Sequence, residues 1–271
     1  MKITSTANPR VKAAAKLRNP RQRVQQGRFM INGVREIGRA LDGRFTLQEL
    51  YICREECTGS ECEQLLRRLE NANAPQFEVS SAVFSVLAYG SRAEGVLAVA
   101  EIPQRSLAEL SLPRNPLVAV LEGVEKPGNL GAVLRSADGA GISAVIVAEA
   151  DVDLYNPNAI RASLGAIFTL PVLAASSDET IAWLRAQKLK IFAARVDAAV
   201  DYAACNFTDS CALVLGSEAE GLSDTWRNNS ATGDDMTAIR LPMRGAVDSL
   251  NVSATAAVLF YEALRQRSTS R

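Results

Sequence analysis

Three short segments of this chain carry polar residues whose types and spacing could do chemistry. The first runs Glu122-Gly123-Val124-Glu125-Lys126-Pro127-Gly128-Asn129-Leu130-Gly131-Ala132-Val133-Leu134-Arg135. It ends an apolar run and opens a helix, so Asn129 falls near a helix start, where a short polar side chain can accept backbone N–H groups. Arg135 follows six residues on, nearly two turns, which sets the two side chains on roughly one face. The second segment is Leu213-Val214-Leu215-Gly216-Ser217-Glu218-Ala219-Glu220-Gly221-Leu222. Glycines at a strand end let a ligand come close to the backbone, and ligands of α/β sheets bind beyond the carboxyl ends of strands. The third is Ile239-Arg240-Leu241-Pro242-Met243-Arg244-Gly245, followed by Asp248-Ser249-Leu250-Asn251-Val252-Ser253. There a strand ends, a proline-glycine loop follows and a helix begins on small polar residues. Taken singly, each segment reads equally as caps and turns.

Several chemistries are excluded. The chain has no histidine, so a Ser-His-Asp triad, a Cys-His pair and a histidine base are all absent. Gly123 to Gly128 has P-loop spacing, but Asn129 and Leu130 stand where Lys and Ser/Thr are required. Gly128-Asn129-Leu130-Gly131 does not make the dinucleotide fingerprint.

The elements that must position these segments alternate between strand and helix, which indicates an α/β fold. Residues 1–18 read as a short basic helix with Val11, Ala14 and Leu17 on one face, broken at Pro20. Strands are expected at 47–52, 95–102, 117–124, 144–148, 190–196, from 211 and at 238–243. Helices are expected at 61–72, 129–141, 157–167, 178–187 and from about Ser249 to Gln266. Residues 223–237 read as a loop. The segment 103–116 is polar and holds three prolines, so a linker is placed at 106–113, between domains spanning 1–105 and 114–271.

Composition narrows the class. At 48% hydrophobic and 22% charged residues, the chain has the profile of a soluble globular protein. No apolar run is long enough to span a bilayer and the first residues lack a secretory pattern, so a cytoplasmic location is expected, without membrane association. The odd set of Cys53, Cys57, Cys62, Cys205 and Cys211 argues for ordinary thiols rather than disulfides or a metal site. Net charge is zero, yet residues 1–44 hold eleven Lys or Arg against two acids. A basic face at one end of an otherwise acidic chain points to RNA or DNA phosphates, with Arg18, Arg21 and Arg23 as candidate contacts.

Together, the order and residues of the three segments resemble the three motifs of SpoU-type (TrmH-class) RNA 2′-O-ribose methyltransferases of the SPOUT superfamily. Arg161-Ala162-Ser163-Leu164-Gly165 extends the likeness, and Asn8-Pro9-Arg10-Val11-Lys12, Gly27-Arg28-Phe29 and Gly33-Val34-Arg35-Glu36 look like the RNA-binding domain that precedes many members. One departure is Asn32, where members often carry glutamate. The resemblance implies a small α/β RNA-binding domain, with Arg10, Lys12 and Arg28 joining the contact candidates, followed by a trefoil-knotted α/β methyltransferase domain. It implies S-adenosylmethionine as cofactor, held by Leu215, Gly216, Glu218, Gly221, Leu241, Met243 and Leu250. It makes Arg135 the catalytic arginine, with Asn129, Ser249 and Asn251 around it, implies no metal, and implies a homodimer. The expected reaction is methylation of a ribose 2′-hydroxyl. A complete N-terminal domain favours rRNA over tRNA as substrate. A non-catalytic RNA-binding protein that keeps the fold is the contrasting alternative.

Overall fold

The computed structural model describes residues 2–89, 94–150, 152–232 and 235–269. In chain order it begins with β1 (Lys2–Ile3), α1 (Pro9–Lys16), α2 (Pro20–Gln26), β2 (Arg28–Asn32), α3 (Val34–Asp42), β3 (Leu47–Ile52), α4 (Ser60–Leu69), β4 (Gln76–Val79), α5 (Ser81–Leu87) and β5 (Val96–Glu101). It continues through β6 (Leu117–Glu122), α6 (Pro127–Ala140), β7 (Ala144–Ala148), α7 (Pro157–Ala162), α8 (Ala166–Thr169), β8 (Val172–Ala175) and α9 (Ser177–Ala186). It ends with β9 (Lys190–Ala194), β10 (Val200–Asp201), β11 (Cys211–Leu215), α10 (Asp224–Thr232), β12 (Met236–Arg240) and α11 (Val252–Thr269). The fold is mixed α/β, as expected, and divides into two compact units.

The first unit comprises Met1–Gln104 together with Asp153–Thr169. Its five-stranded sheet has the order β1-β4-β3-β5-β2, in which β5 runs antiparallel to both neighbours. Pro20 does more than end α1. It is the first residue of α2, whose N-cap Asn19 accepts the Arg21 N–H, because proline lacks only a donor that a first helical turn leaves unused. The expected helix at 157–167 is two helices. Leu164 (φ 54°) and Gly165 (φ 86°) both turn left-handed between α7 and α8, and a right-handed helix cannot continue through that conformation. This returning segment packs aromatically within the unit: Tyr155 stacks on Phe29 at 4.3 Å, and Phe168 meets Phe45 edge-on at 5.0 Å. Cys57 and Cys62 form a disulfide, their Cα atoms 5.8 Å apart, which corrects the reading of all five cysteines as thiols. The loop ahead of α4 brings the pair within bridging distance, a local geometry that an odd count does not reveal. Cys53, Cys205 and Cys211 are free.

The second unit comprises Arg105–Val152 and Leu170–Arg271. Its seven strands pair in parallel in the order β10-β12-β9-β11-β6-β7-β8. The central strands are buried along their whole length, which is why they read as continuous apolar runs rather than alternating ones. Leu107, Leu110 and Leu112, from the polar stretch after β5, pack against this unit's core. The stretch expected to be a loop at 223–237 contains α10, and its Trp226 is fully buried. The last helix starts at Val252 rather than Ser249, because Asn251 spends its side-chain oxygen on the Ser253 N–H at 2.9 Å and so acts as the cap.

Glu122, at the end of β6, is buried. Its carboxylate accepts the hydroxyls of Ser177 and Ser223, both at 2.7 Å, and the Ser223 N–H at 2.8 Å. Trp226 Nε1 donates in turn to Ser177 at 3.2 Å. The carboxylate thus ties the starts of α9 and α10 to the central strand. Glu122→Ala leaves the hydroxyl of buried Ser177 and two donors of Ser223 without their acceptor, so urea unfolding is expected to show a loss of about 2 kcal/mol. An unchanged midpoint would mean that water replaces the carboxylate at no cost.

Candidate active site

Parallel pairing fixes where the three segments meet. Leu215 pairs with both Leu121 and Ala194, and Ala194 pairs with Ile239. The carboxyl ends of β6, β11, β9 and β12 are therefore consecutive along one edge of the sheet. The loops that leave β6, β11 and β12 carry residues singled out above.

The loop after β11 is the tightest. Ser217 and Gly221 exchange backbone hydrogen bonds of 3.0 and 3.1 Å, and Gly221 sits at φ 69°, in the left-handed region that favours glycine. Gly216 has no room for a side chain, since a Cβ there would lie 2.2 Å from the Gly221 carbonyl carbon and 2.4 Å from the Leu222 nitrogen. Beside this hairpin lies a cleft of about 390 Å³. Leu215, Gly216, Glu218, Gly221, Leu241, Met243 and Leu250, the seven residues assigned to the cofactor, all line it, as does Ser249. The volume lies in the range of small-molecule sites. A lining that mixes apolar side chains with carboxylates, beside a side-chain-free backbone edge, suits a nucleoside with a cationic sulfonium arm, so the residues present fit S-adenosylmethionine.

The sequence reading missed one wall. Arg195 and Asp197, just past β9, also line this cleft. They form a two-pronged ion pair at 2.9 and 2.7 Å, and the guanidinium holds the Asp197 carboxyl below its ordinary range. Nothing in an Arg-x-Asp spacing marks this in advance.

A second, smaller cleft of about 70 Å³ adjoins the same hairpin and is lined by Gly123, Lys126, Asn129 and Glu218 among others. Glu218 faces both clefts. Its Oε2 takes the Lys126 ammonium at 2.8 Å, and its Oε1 takes the Asn129 amide at 2.7 Å. Asn251 Nδ2 also donates to Oε1 and lies 3.5 Å from Asn129 Oδ1. The Lys126 ammonium, chiefly, holds the Glu218 carboxyl below the usual carboxylate range. Glu218 therefore joins the first segment to the third, a broader part than lining a cofactor site. Asn129 does not cap α6: it lies inside the first turn, the N-cap is Lys126, and no side chain caps that end.

Arg135 lies outside both clefts, exposed on α6, and has no hydrogen bond or ion pair among the described residues. Six residues turn an α-helix through 600°, so Asn129 and Arg135 stand about 120° apart rather than on one face. Their separation along the axis is about 9 Å.

The basic residues of the first unit divide into two kinds. Arg23 is 1% exposed: it bonds Asp153 at 2.5 Å and the carbonyls of Leu17 and Arg18 at 2.6 and 2.9 Å. It is a structural residue and cannot contact RNA as expected, because its charge is spent on closing the end of α1. Arg10 and Arg28 converge on Glu49, and Arg10 also lies over the Phe77 ring at 4.6 Å. Lys12, Arg18 and Arg21 are exposed, with Arg18 donating to the Ala88 carbonyl. Helical spacing alone does not separate these groups.

Residues 116–261 match the SpoU rRNA Methylase family, and residues 8–98 match the MRM3-like substrate binding domain. A 23S rRNA (uridine(2479)-2′-O)-methyltransferase from Streptomyces viridochromogenes is 30% identical over 95% of this chain and 89% of its own length. A solved RNA 2′-O ribose methyltransferase is 42% identical with a TM-score of 0.82, covering 99% of this chain and 100% of that one. An AdoMet-bound rRNA methyltransferase from Sinorhizobium meliloti is 26% identical with a TM-score of 0.86, covering 98% of this chain and 97% of that one.

Proposed function

Because this chain belongs to the SpoU rRNA methylase family, we propose that the two clefts at the edge of its parallel sheet form one active site, with Asn129, Arg135, Glu218, Ser249 and Asn251 serving the acceptor ribose. The enzyme methylates a ribose 2′-hydroxyl of rRNA and uses S-adenosylmethionine. The observation that carries the site assignment is the convergence of three distant segments on two adjoining clefts that share Glu218.

S-adenosylmethionine supplies an electrophilic methyl group on its sulfonium. The chain's own tasks are to hold the ribose oxygen in line, to orient its hydroxyl and to steady the charge that grows on oxygen. Orientation is the largest of these, worth on the order of 7–11 kcal/mol in favourable cases. Asn129 and Asn251 turn their amide nitrogens to Glu218, and the Asn129 carbonyl oxygen, which takes one long bond from Asn251 at 3.5 Å, has a second lone pair to accept from the 2′-hydroxyl. A guanidinium offers donors and no acceptor, so Arg135 is assigned no role as base. It holds an RNA phosphate and stabilises the developing oxyanion.

The first unit binds the RNA through the exposed part of its basic surface. Replacing Lys12, Lys16 and Arg21 with alanine is expected to weaken RNA binding and to reduce the slope of log affinity against log salt by about 2, at ~0.7 per lost single-strand phosphate contact. An unchanged slope, measured by titration between low and moderate salt, would remove this surface from the interface.

Three further readings accompany the function. Tyr261 is 51% exposed on α11, and Val258 and Leu264 beside it are half-buried; this apolar face supports a homodimer. β11 lies between β6 and β9 although it follows β9 in sequence, an order compatible with a knotted chain. No helix among the described residues is long and apolar enough to cross a membrane, and the substrate is rRNA, which supports a cytoplasmic location.

The deciding experiment combines purified protein, methyl-labelled S-adenosylmethionine and unmodified total RNA, then maps any 2′-O-methyl position. Label at one rRNA position is the expected result. Label confined to tRNA would move the substrate class, and absence of cofactor binding would leave a non-catalytic RNA-binding protein.

A further inference from the structure

The strongest unassigned feature is the ion pair that Lys126 makes across the site. Lys126 is the last residue before α6, with a side chain 71% exposed, and Glu218 lies 92 residues later in the chain. The Glu218 carboxylate is not a simple ion-pair partner. It also accepts from the side-chain amides of Asn129 and Asn251 and from the Val252 backbone N–H. Four donors from two segments therefore converge on one carboxylate that is 28% exposed.

The chemistry of the amides makes this convergence directional. An ionised carboxylate only accepts hydrogen bonds, whereas a protonated one also donates. While Glu218 is charged, Asn129 and Asn251 must both present their NH₂ groups to it and turn their carbonyl oxygens elsewhere. The Asn251 oxygen then accepts from the backbone and hydroxyl of Ser253, which seats the start of α11. A proton on Glu218 would make it a donor and favour flipping one amide, bringing a carbonyl oxygen inward.

We propose that Lys126 is a positioning residue for methyl transfer, its ammonium anchoring the Glu218 carboxylate and so setting the direction of the Asn129 and Asn251 amides. This rests on the reading of the two clefts as one active site. The other charged groups nearby do not replace Lys126. Glu125, Glu220 and Asp248 oppose a charge on Glu218, Arg195 is engaged by Asp197, and Arg227 donates to the Glu220 carbonyl. Lys126 is also the largest cause of the lowered Glu218 pKa. An unshifted glutamate is also ionised at neutral pH, so the depressed pKa only carries the ordered arrangement to lower pH, and it is lost as pH falls through that pKa. Removing the ammonium raises the pKa and moves the loss to higher pH.

The test compares wild type with K126M, which keeps the length of the side chain, and with K126R, which keeps the charge. In K126M, kcat should fall ~10–100-fold, the scale of a misplaced reactant. Cofactor affinity and the salt slope of RNA binding should stay at wild-type values, and the acid limb of the kcat profile should move up in pH. K126R should recover most of the turnover. In cofactor-free protein, the carbon-13 carboxyl resonance of Glu218 should titrate at higher pH in K126M than in wild type. An unmoved Glu218 titration would overturn the proposal. So would a loss confined to RNA affinity and salt slope, which would make Lys126 a phosphate ligand. A K126M protein without cofactor affinity would also overturn it, unless K126R restores both affinity and turnover. Wild-type protein that transfers no methyl at all would instead refute the active-site reading beneath it.

Discussion

Gly216→Ala is expected to abolish useful cofactor affinity while the protein still folds. The new Cβ would lie 2.2 Å from the Gly221 carbonyl carbon, 2.3 Å from its oxygen and 2.4 Å from the Leu222 nitrogen. These are backbone atoms, so no side-chain rotation relieves the overlap. Moving them means breaking the Ser217–Gly221 pairing and reshaping one wall of the larger cleft. Overpacking at a tight site costs about 1–3 kcal/mol or more, and here it falls on the wall that the ligand must touch. Calorimetric titration should show S-adenosylmethionine binding weakened at least ~100-fold, equivalent to about 2.7 kcal/mol. The seven-stranded sheet lies behind the hairpin, so the thermal midpoint should move by only a few degrees. Affinity within about threefold of wild type, against a 1.4 kcal/mol scale per decade, would show that the hairpin opens freely and is not the cradle described here.

Arg135→Ala is expected to lower single-turnover methyl transfer by about 10²–10³-fold, the usual cost of removing one donor that stabilises a developing oxyanion. The fold should not suffer, because the side chain is exposed and has no partner among the described residues. Arg135→Lys should fall between the two, since it keeps the charge but loses the planar fork that grips a phosphate at two points. Cofactor affinity should be unchanged in both variants, as Arg135 is not on the larger cleft. Full RNA affinity and full turnover in the alanine variant would remove Arg135 from the mechanism.

Much of this architecture is legible in the sequence, for identifiable reasons. The central strands of the second unit are buried on both faces, so they read as unbroken apolar runs, and their glycine-bearing ends mark where a ligand can come close. Residues from all three segments meet because parallel pairing aligns the carboxyl ends of four neighbouring strands. Periodicity could not have assigned a cofactor to Leu241 or Met243; the family likeness did that. Other features are invisible for physical reasons. Among the described residues of helix α10, Trp226 is the fully buried one in a largely polar sequence, so an apolar stripe is too thin to read. Asn129 carries the residue type of a helix cap, yet its partner is a carboxylate 89 residues away, and long-range ion pairs leave no mark in local spacing. Lys126 escaped for the same reason, whereas the Arg195–Asp197 pair is local and its Arg-x-Asp spacing is simply uninformative. Arg23 has the residue type of an RNA contact and the burial of a core residue, and only tertiary structure separates the two.

The return of Asp153–Thr169 to the first unit bears on how such a protein can change over generations. Tyr155 and Phe168, which close over Phe29 and Phe45, are encoded inside the stretch that matches the SpoU family. A recombination event that exchanged everything before Arg105 for another binding module would deliver it without these rings and leave them facing a foreign surface. Aromatic pairs of this kind are worth about 0.5–1.5 kcal/mol beyond the area they bury, so a mismatched chimaera starts at a disadvantage. The ring contacts thus favour keeping the two stretches together, and a change at Phe29 or Phe45 is felt by Tyr155 and Phe168 far downstream in the chain.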